Sequence, residues 1–389
     1  MITIKQPGVS TGEGKSRLSA DIDVDGDVRK VWFEVDAEYG SYLCFERSDA
    51  FLIGLLYWAM LAKHDIVCEA PVSAELLFQI RTYLIPSLPQ HSSVLYPSKI
   101  TAAGDPAPLP NAGAVGTGIS CGVDSFHALA AHADSPYPHL KLTHLALNNV
   151  GSHGAGEKGK QAFEEHRAHV KAFCREYGFK LVVSDSNFGD VFPQNFLVTH
   201  TYSSGFAIYA LQKFWRYYFY ASSGCDINGF SLTNSEYFSS SRYELLLLPV
   251  LSTSSLRIYS EGATLKRLEK LREVAEYEPA HRYLNVCGRF PSCCKCRKCK
   301  RTLLELYAIG SLEKFRGSFD VDYFYAHRDW YLIRFLSKYW QHDSYYVDMY
   351  PLLKDKITAK VWVLALFRCG IHAMLKNIKN RRLARAKKR

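Results

Sequence analysis

The sequence predicts an α/β protein built on a parallel five-stranded β-sheet. From residue 114 onward, short apolar runs such as "AVGTGI" and "LTHLALNNV" alternate with longer helical patterns such as "DSFHALAAHA" and "KGKQAFEEHRAHVKAFCREYG". This alternation is typical of βαβ units with right-handed crossovers. The chain has 389 residues, 48% of them hydrophobic, which is enough for a full core and for two or three domains.

Residues 1–110 are predicted to form a separate N-terminal α/β unit. After a polar first 27 residues, residues 28–46 predict a hairpin broken at Gly40. Helices are then expected over 51–62 and over about 74–85, with Pro86 ending the second. The stretch "TAAGDPAPLPNAGA" has the composition of a linker, so we expect a domain boundary between residues 110 and 111.

Residues 111–318 are predicted to form the main domain, and residues 319–389 a helical region with a basic tail. After the first three strands, the pattern predicts further elements in the order helix, strand, helix, strand and helix, over 205–221, 227–233, 262–277, 282–287 and 300–315. The last strand leads directly into a cluster of cysteines.

Charge and hydropathy limit the classes of partner. The net charge is +10, but the last 14 residues carry eight Lys or Arg and no acid, so 10 minus 8 leaves +2 for the rest. This tail leaves a nucleic-acid contact open without favouring it. The longest apolar run has 12 residues, too few to cross a bilayer, and the N-terminus lacks the pattern of a secretory signal. We therefore expect a cytoplasmic protein that does not enter a membrane.

The stretch "SCGVDS", residues 120–125, lies between a predicted strand and a predicted helix. A loop with small side chains exposes backbone N–H groups, and the dipole of the following helix favours a phosphate among them. Asp124 is placed to hold a divalent metal, and Ser120 and Ser125 to donate to phosphate oxygens. The loop matches neither the Walker pattern nor the dinucleotide fingerprint.

The same stretch resembles the S-G-G-x-D-S loop of the PP-loop ATP pyrophosphatases. That resemblance implies ATP and Mg²⁺ as cofactors, cleavage of ATP to AMP and pyrophosphate, and a catalytic role for Asp124 and Ser125. The nucleotide-binding residues it implies in the loop are Ser120, Cys121, Gly122, Val123, Asp124 and Ser125. Cys121 replaces a glycine of the family; a positive φ there would cost about 1 kcal/mol. A reactive Cys121 thiol is the alternative to a small loop filler.

Five cysteines crowd into residues 287–299, "CGRFPSCCKCRKC". Four closely spaced thiolates predict a tetrahedral zinc site, with Cys287, Cys293, Cys296 and Cys299 as ligands. Cys294 in place of Cys293 is the rival assignment, and an iron–sulfur cluster would use the same ligands. The positive charge of the neighbouring Lys295, Arg297, Lys298, Lys300 and Arg301 would offset the thiolates.

Loop and cysteines together resemble the 7-cyano-7-deazaguanine synthase (QueC) family over residues 114–316. The resemblance implies structural zinc, adenylation of a carboxylate such as a 7-deazaguanine acid, and transfer of the acyl group to ammonia or an amine. Extended relatives occur in antiphage defence systems and biosynthetic gene clusters. Because the additions at 1–110 and 319–389 enlarge the surface, an amine on a partner protein is one expected acceptor beside ammonia or a free amine. The additional terminal regions also leave a homodimer open.

Other residues are candidates by position only. Adenine in this family lies against the ends of the second and third strands, which here carry Asn148 and Ser184. Lys266 and Arg267 are either phosphate contacts or the solvated face of a helix. Residues 234–253, rich in hydroxyls, are either an acyl-binding segment or a solvated loop. His166, His169 and His200 are interpreted as surface or partly buried side chains rather than metal ligands.

Three functions compete at this point. The leading hypothesis is an ATP-dependent ligase that forms a C–N bond. The second is a tRNA-thiolation enzyme that would use Cys121 or a spare cluster cysteine as sulfur carrier and the basic tail for RNA. The third is a catalytically silent scaffold that keeps the fold and the zinc as structure.

Overall fold

The computed structural model describes residues 1–222, 227, 230, 232 and 239–369. The strands in these residues are β1 Ile2–Ile4, β2 Gly8–Gly12, β3 Lys15–Val24, β4 Asp27–Asp36, β5 Ile66–Cys68, β6 Val72–Ser73, β7 Ile100–Thr101, β8 Gly104–Asp105, β9 Ala114–Gly118, β10 His144–Asn149, β11 Lys180–Ser186, β12 Trp215–Ala221 and β13 Arg257–Glu261.

The helices of the same residues, leaving out short 3₁₀ turns, are α1 Asp49–Ala62, α2 Ala74–Gln79, α3 Ile85–His91, α4 Val123–Ala133, α5 Gly156–Tyr177, α6 Phe188–Val191, α7 Phe196–Ala210, α8 Glu244–Val250, α9 Arg267–Glu276, α10 Glu278–Tyr283, α11 Arg297–Ala308, α12 Val321–Ala326, α13 Arg328–Tyr339, α14 Ser344–Leu353 and α15 over 359–369. A π-helical turn, Ile80–Leu84, joins α2 to α3.

The prediction of an α/β fold is confirmed, but the prediction of a parallel five-stranded sheet was wrong. The main sheet has eleven strands and is mixed, in the order β13-β12-β9-β10-β11-β4-β3-β1-β5-β7, with β2 paired to β3. The strands β13, β12, β9, β10 and β11 are parallel to one another and adjacent. The antiparallel pairing of β11 with β4 then extends this parallel part into the N-terminal strands.

The N-terminal strands were not predicted, because the first 27 residues look polar overall. In β3, however, every second residue is buried, including Leu18, Ala20 and Ile22, the pattern of a half-buried strand. Asp25 and Gly26 both have positive φ, 52° and 94°, and close a two-residue hairpin between β3 and β4. The predicted hairpin over 28–46 was wrong, since β4 turns back onto β3.

Two other predicted elements were wrong. The helix expected over 205–221 ends at Ala210, and the aromatic residues that follow form β12, in which Trp215 packs against β9. A Cβ on Gly116 would come within 2.5 Å of the Trp215 ring, so only glycine fits there. The strand expected over 282–287 is not present: helix α10 runs to Tyr283, and residues 284–287 are not in a strand. The strand expected over 227–233 lies outside the continuous described segments.

Contacts divide the chain into two compact units, Met1–Lys266 and a second unit that begins at Arg267. The first unit contains the main sheet, and the described part of the second unit is helical. The predicted domain boundaries after residues 110 and 318 stay predictions, because this division does not test which segments fold on their own. Among the described residues, no helix combines the length and apolar character that a membrane crossing requires.

Candidate functional site

The loop between β9 and α4 lies where the order of the parallel strands reverses. From β9 the chain passes through α4 to β10 on one side, whereas β12, reached later, pairs with β9 on the other side. In α/β sheets, ligands bind beyond the carboxyl ends of the strands at such a point. The loop predicted from "SCGVDS" therefore lies at the position where a parallel sheet holds a ligand.

The backbone of this loop has the conformation that its glycine-rich pattern predicts. Cys121 has φ of 56°, in the left-handed region that favours glycine. Gly122 is the N-cap of α4 and brings no capping side chain, and the first N–H groups of any helix have no partner within the helix. A left-handed turn followed by a helix start is suited to an anion, although the N–H groups of Ser120 and Gly122 donate within the loop to Ser125 Oγ and Ser120 Oγ.

Two serine hydroxyls lie close together in the loop. The Oγ atoms of Ser120 and Ser125 are 3.2 Å apart, and Ser125 Oγ also accepts from the Ser120 N–H at 3.3 Å. Ser125 Oγ donates to the Gly122 carbonyl at 3.1 Å. Ser125 is buried, Ser120 is exposed, and Asp124 in the first turn of α4 is partly exposed. The structure therefore brings together the loop residues that the sequence singled out.

The thiol of Cys121 points into the protein. Cys121 is fully buried, and burial raises the pKa of its thiol well above the usual value for cysteine. A reactive thiol needs the opposite, a lowered pKa and access to solvent. The side chain fits the interpretation of a small loop filler.

Polar side chains at the ends of β10 and β11 face one another in register. Asn148 pairs with Ser184 across the two strands, and Ser184 Oγ donates to Asn148 Oδ1 at 2.7 Å. In the next pair, Asn149 Nδ2 donates to Asp185 Oδ1 at 2.8 Å. These pairs end at the same sheet edge as β9, so the predicted adenine-side residues and the loop share one edge.

Two histidines connect these parts: His153, which the sequence analysis did not name, and His166, which it interpreted as a surface or partly buried side chain. His166 Nε2 lies 3.1 Å from the Ser120 carbonyl oxygen, and His166 Nδ1 lies 2.8 Å from His153 Nε2. The signal was in α5, where Phe163, His166 and Val170 share the buried stripe. His166 is thus a buried neighbour of the loop, more deeply placed than the sequence indicated.

The remaining candidates have other surroundings. Lys266 is exposed at the end of the first unit, whereas Arg267 belongs to the second unit and donates to Glu305 and Thr302 at 3.2 and 3.1 Å. Their predicted contact with phosphate stays a prediction. His200 Nδ1 lies 2.7 Å from the Tyr220 hydroxyl. Of the hydroxyl-rich segment 234–253, residues 234–238 lie outside the described residues.

The four predicted cysteine ligands converge. The Sγ atoms of Cys287, Cys293, Cys296 and Cys299 all lie within 4.8 Å of one another. Four sulfurs at about 2.3 Å from a tetrahedral zinc ion would be about 3.8 Å apart. The distance from Cys293 Sγ to Cys299 Sγ is 3.8 Å, and from Cys296 Sγ to Cys299 Sγ 3.5 Å. This group could hold a metal ion such as zinc.

Backbone donors surround the same sulfurs. The N–H of Cys293 donates to Cys287 Sγ at 3.4 Å, and the N–H of Cys296 donates to Cys293 Sγ at 3.3 Å. Although burial alone would raise it, N–H groups including those of Lys295 and Cys296 hold the pKa of the Cys293 thiol at about 6. The thiolate, the form that binds metal, is therefore favoured at Cys293, whereas burial and the neighbouring cysteines raise the pKa of the Cys299 thiol.

Cys294 is separate from this group. Its Sγ accepts from the Asp320 N–H at 3.2 Å, its carbonyl oxygen accepts from the Tyr331 hydroxyl at 3.1 Å, and burial raises the pKa of its thiol. The geometry favours Cys293 over Cys294 as the fourth ligand.

Comparison of the chain with protein-family models, with curated proteins and with solved structures gave no match. The class of the protein is therefore defined by its own fold and sites. It is an α/β protein with a four-cysteine group and with the β9–α4 loop at the point where the order of the parallel strands reverses.

Proposed function

We propose that the protein is an ATP-dependent ligase of the PP-loop type, similar to the QueC family. It would activate a carboxylate, such as a 7-deazaguanine acid, with ATP and transfer the acyl group to ammonia or an amine. The observation that carries the proposal is the β9–α4 loop. A left-handed Cys121, two adjacent serine hydroxyls and Asp124 meet there at the start of a helix, beyond the parallel strand end where ligands bind.

In this reaction a carboxylate oxygen attacks the α-phosphorus of ATP, the bond from that phosphorus to the bridging oxygen breaks, and pyrophosphate leaves. The amine nitrogen then attacks the acyl carbon, loses a proton and displaces AMP. The chain's contribution is positioning and charge stabilisation, for which no protein nucleophile is required. The loop N–H groups and serine hydroxyls would bind the β- and γ-phosphates, and Asp124 would hold Mg²⁺.

The four-cysteine group is assigned a structural zinc ion. It lies in the second unit, and the zinc would cross-link residues 287–299. A site with four protein ligands has no open position for substrate.

The thiolation alternative finds less support. A sulfur carrier needs an accessible thiolate, but burial raises the pKa of both Cys121 and Cys294. A silent scaffold would have no need for an acid and two hydroxyls at the start of α4. Cytoplasmic location, the antiphage or biosynthetic setting, and an acceptor on a partner protein belong to this proposal as expectations of the resemblance.

The test has two parts. Calorimetric titration of the protein with Mg-ATP and with inorganic pyrophosphate should show binding of both. Incubation with Mg-ATP, ammonium and candidate carboxylates, 7-carboxy-7-deazaguanine first, should give AMP and pyrophosphate only when the right carboxylate is present. ADP as the main product would exclude this mechanism, and thiolated RNA would favour the alternative.

A further inference from the structure

Two histidines form a hydrogen-bonded chain behind the β9–α4 loop. The chain runs from Ser120 through His166 in α5 to His153 in the segment that follows β10. His153 Nδ1 lies 2.9 Å from Ser152 Oγ and 3.0 Å from Asn149 Oδ1. Side chains from outside the loop thus hold one of its carbonyl groups.

The partner at the Ser120 end of this chain fixes the position of the proton on His166. The Ser120 carbonyl oxygen only accepts, so His166 must carry its proton on Nε2. Nδ1 of the neutral His166 ring is then an acceptor for the N–H at His153 Nε2, and His153 Nδ1 accepts from the Ser152 hydroxyl. In this pattern the approach of His153 Nδ1 to Asn149 Oδ1 joins two acceptors and is not a hydrogen bond. Burial lowers the pKa of His166 to about 4 and also lowers that of His153, so both rings are in the neutral form that this pattern requires.

The hydrogen bond to Ser120 orients the next peptide group. In a trans peptide, the C=O and the N–H point in opposite directions. Because the Ser120 carbonyl points to His166, the Cys121 N–H points away from α5. Cys121 has a positive φ, as concave anion-binding turns have, whereas the N–H of Gly122 donates within the loop to Ser120 Oγ at 3.3 Å. The orientation of the Ser120–Cys121 peptide therefore concerns the Cys121 N–H.

We propose that His166, supported by His153, is a positioning residue that turns the Cys121 N–H toward the β- and γ-phosphates of bound ATP. The inference rests on the proposed function. His166 does not touch the nucleotide; it acts through the Ser120–Cys121 peptide. Its effect is therefore confined to ligands that carry the phosphates bound by the loop, and AMP is not among them.

The experiment compares three ligands on the full-length wild type and three variants. Calorimetry measures the dissociation constants of Mg-ATP, pyrophosphate and AMP for wild type, His166→Phe, His166→Gln and the control His169→Phe, which changes a histidine three residues further along α5. We expect His166→Phe to weaken Mg-ATP and pyrophosphate about tenfold, the value of one hydrogen bond, and to leave AMP unchanged. His166→Gln, which keeps an N–H donor, should regain most of the affinity, and His169→Phe should bind like wild type.

The outcomes separate this inference from the proposed function. If wild type binds none of the three ligands, the proposed function fails and the inference fails with it. If wild type binds them but His166→Phe binds pyrophosphate equally well, or loses AMP to the same extent, only the inference is overturned. Nitrogen NMR of histidine-labelled wild type gives a second readout that needs no variant to fold: His166 should carry its proton on Nε2, and a proton on Nδ1 would contradict the chain.

Discussion

The β9–α4 loop and the four-cysteine segment each contain a buried cysteine in the left-handed region, Cys121 with φ of 56° and Cys294 with φ of 54°. Neither thiol takes part in the proposed chemistry of its region. Around Cys121 the functional groups are backbone N–H groups and short polar side chains. Around Cys294 they are the four neighbouring thiols, which lie within 4.8 Å of one another.

The two regions differ in how far apart in the sequence their interacting residues lie. The four sulfurs come from 13 consecutive residues, so local spacing specifies the site. The loop depends on distant partners, with its carbonyl at Ser120 held by His166, 46 residues away. The spacing of side chains in the sequence predicts the cysteine site. The orientation of the loop's backbone groups, in contrast, depends on contacts with residues that the sheet brings near it.

The largest expected effect concerns the cysteines. Cys293→Ser should lose the metal and unfold the second unit, because structural zinc binding is worth on the order of 10 kcal/mol in small metal sites. Cys294→Ser should keep about one zinc per chain, the stoichiometry of a four-ligand site. Elemental analysis of the purified variants, with thermal unfolding in the presence and absence of chelator, measures both. The reverse result would make Cys294 the ligand.

The next effect tests the loop. Asp124→Ala should lower AMP formation by about 10²- to 10³-fold, the usual loss when a group that stabilises charge is removed. Its melting temperature should change little, because one acid in a first helical turn contributes less than about 1 kcal/mol. The control is Asp134→Ala, which removes an acid just beyond the other end of α4. AMP formation by Asp124→Ala at the wild-type rate would remove the loop from the reaction.

The pH dependence of stability tests the histidine that supports the loop. His166 has a native pKa of about 4 against 6.5 when unfolded. The unfolded chain therefore binds more protons between these values, and stability is lost as pH falls through this window. From pH 7 to pH 5, wild type should lose on the order of 2 kcal/mol more unfolding free energy than His166→Gln.

Chemical denaturation of the two proteins at both pH values measures this difference. Other groups also make stability depend on pH, and the comparison with the variant cancels their contributions. His200 has a lowered pKa and contributes in the same direction as His166, whereas Asp49, with its pKa raised to about 6, contributes in the opposite direction. Equal losses in the two proteins would mean that His166 is not held neutral by burial.

The smallest effect concerns the Cys121 thiol itself. Cys121→Gly should relieve the left-handed backbone by about 1 kcal/mol, and loss of the buried side chain should offset this gain. We expect AMP formation within about threefold of wild type, because the two opposing changes nearly cancel and a threefold change in rate corresponds to only about 0.6 kcal/mol of activation free energy. A loss of activity far beyond that would give the thiol a role and revive the thiolation alternative; steady-state kinetics decides.

Sequence patterns predicted some elements better than others. Helix α1, the strands β9, β10 and β11, and the helices α4 and α5 were expected and are present, because their apolar periodicity is strong. The aromatic run that forms β12 was assigned to a helix, because it has no period-2 alternation of polar residues. The N-terminal strands were missed although Asp25-Gly26 between alternating segments is a hairpin signal.

By itself, the sequence determined the four converging cysteines and the loop from Ser120 to Ser125, because each is encoded within about a dozen neighbouring residues. The tertiary structure decided the sheet's size, since β4 pairs with β3 through a local hairpin but pairs with β11 only once distant parts of the chain come together. It also decided the surroundings of the loop. The contact between His166, in the middle of α5, and Ser120, in the β9–α4 loop, joins residues far apart in the chain. Such a hydrogen bond follows from the arrangement of strands and helices rather than from any local pattern.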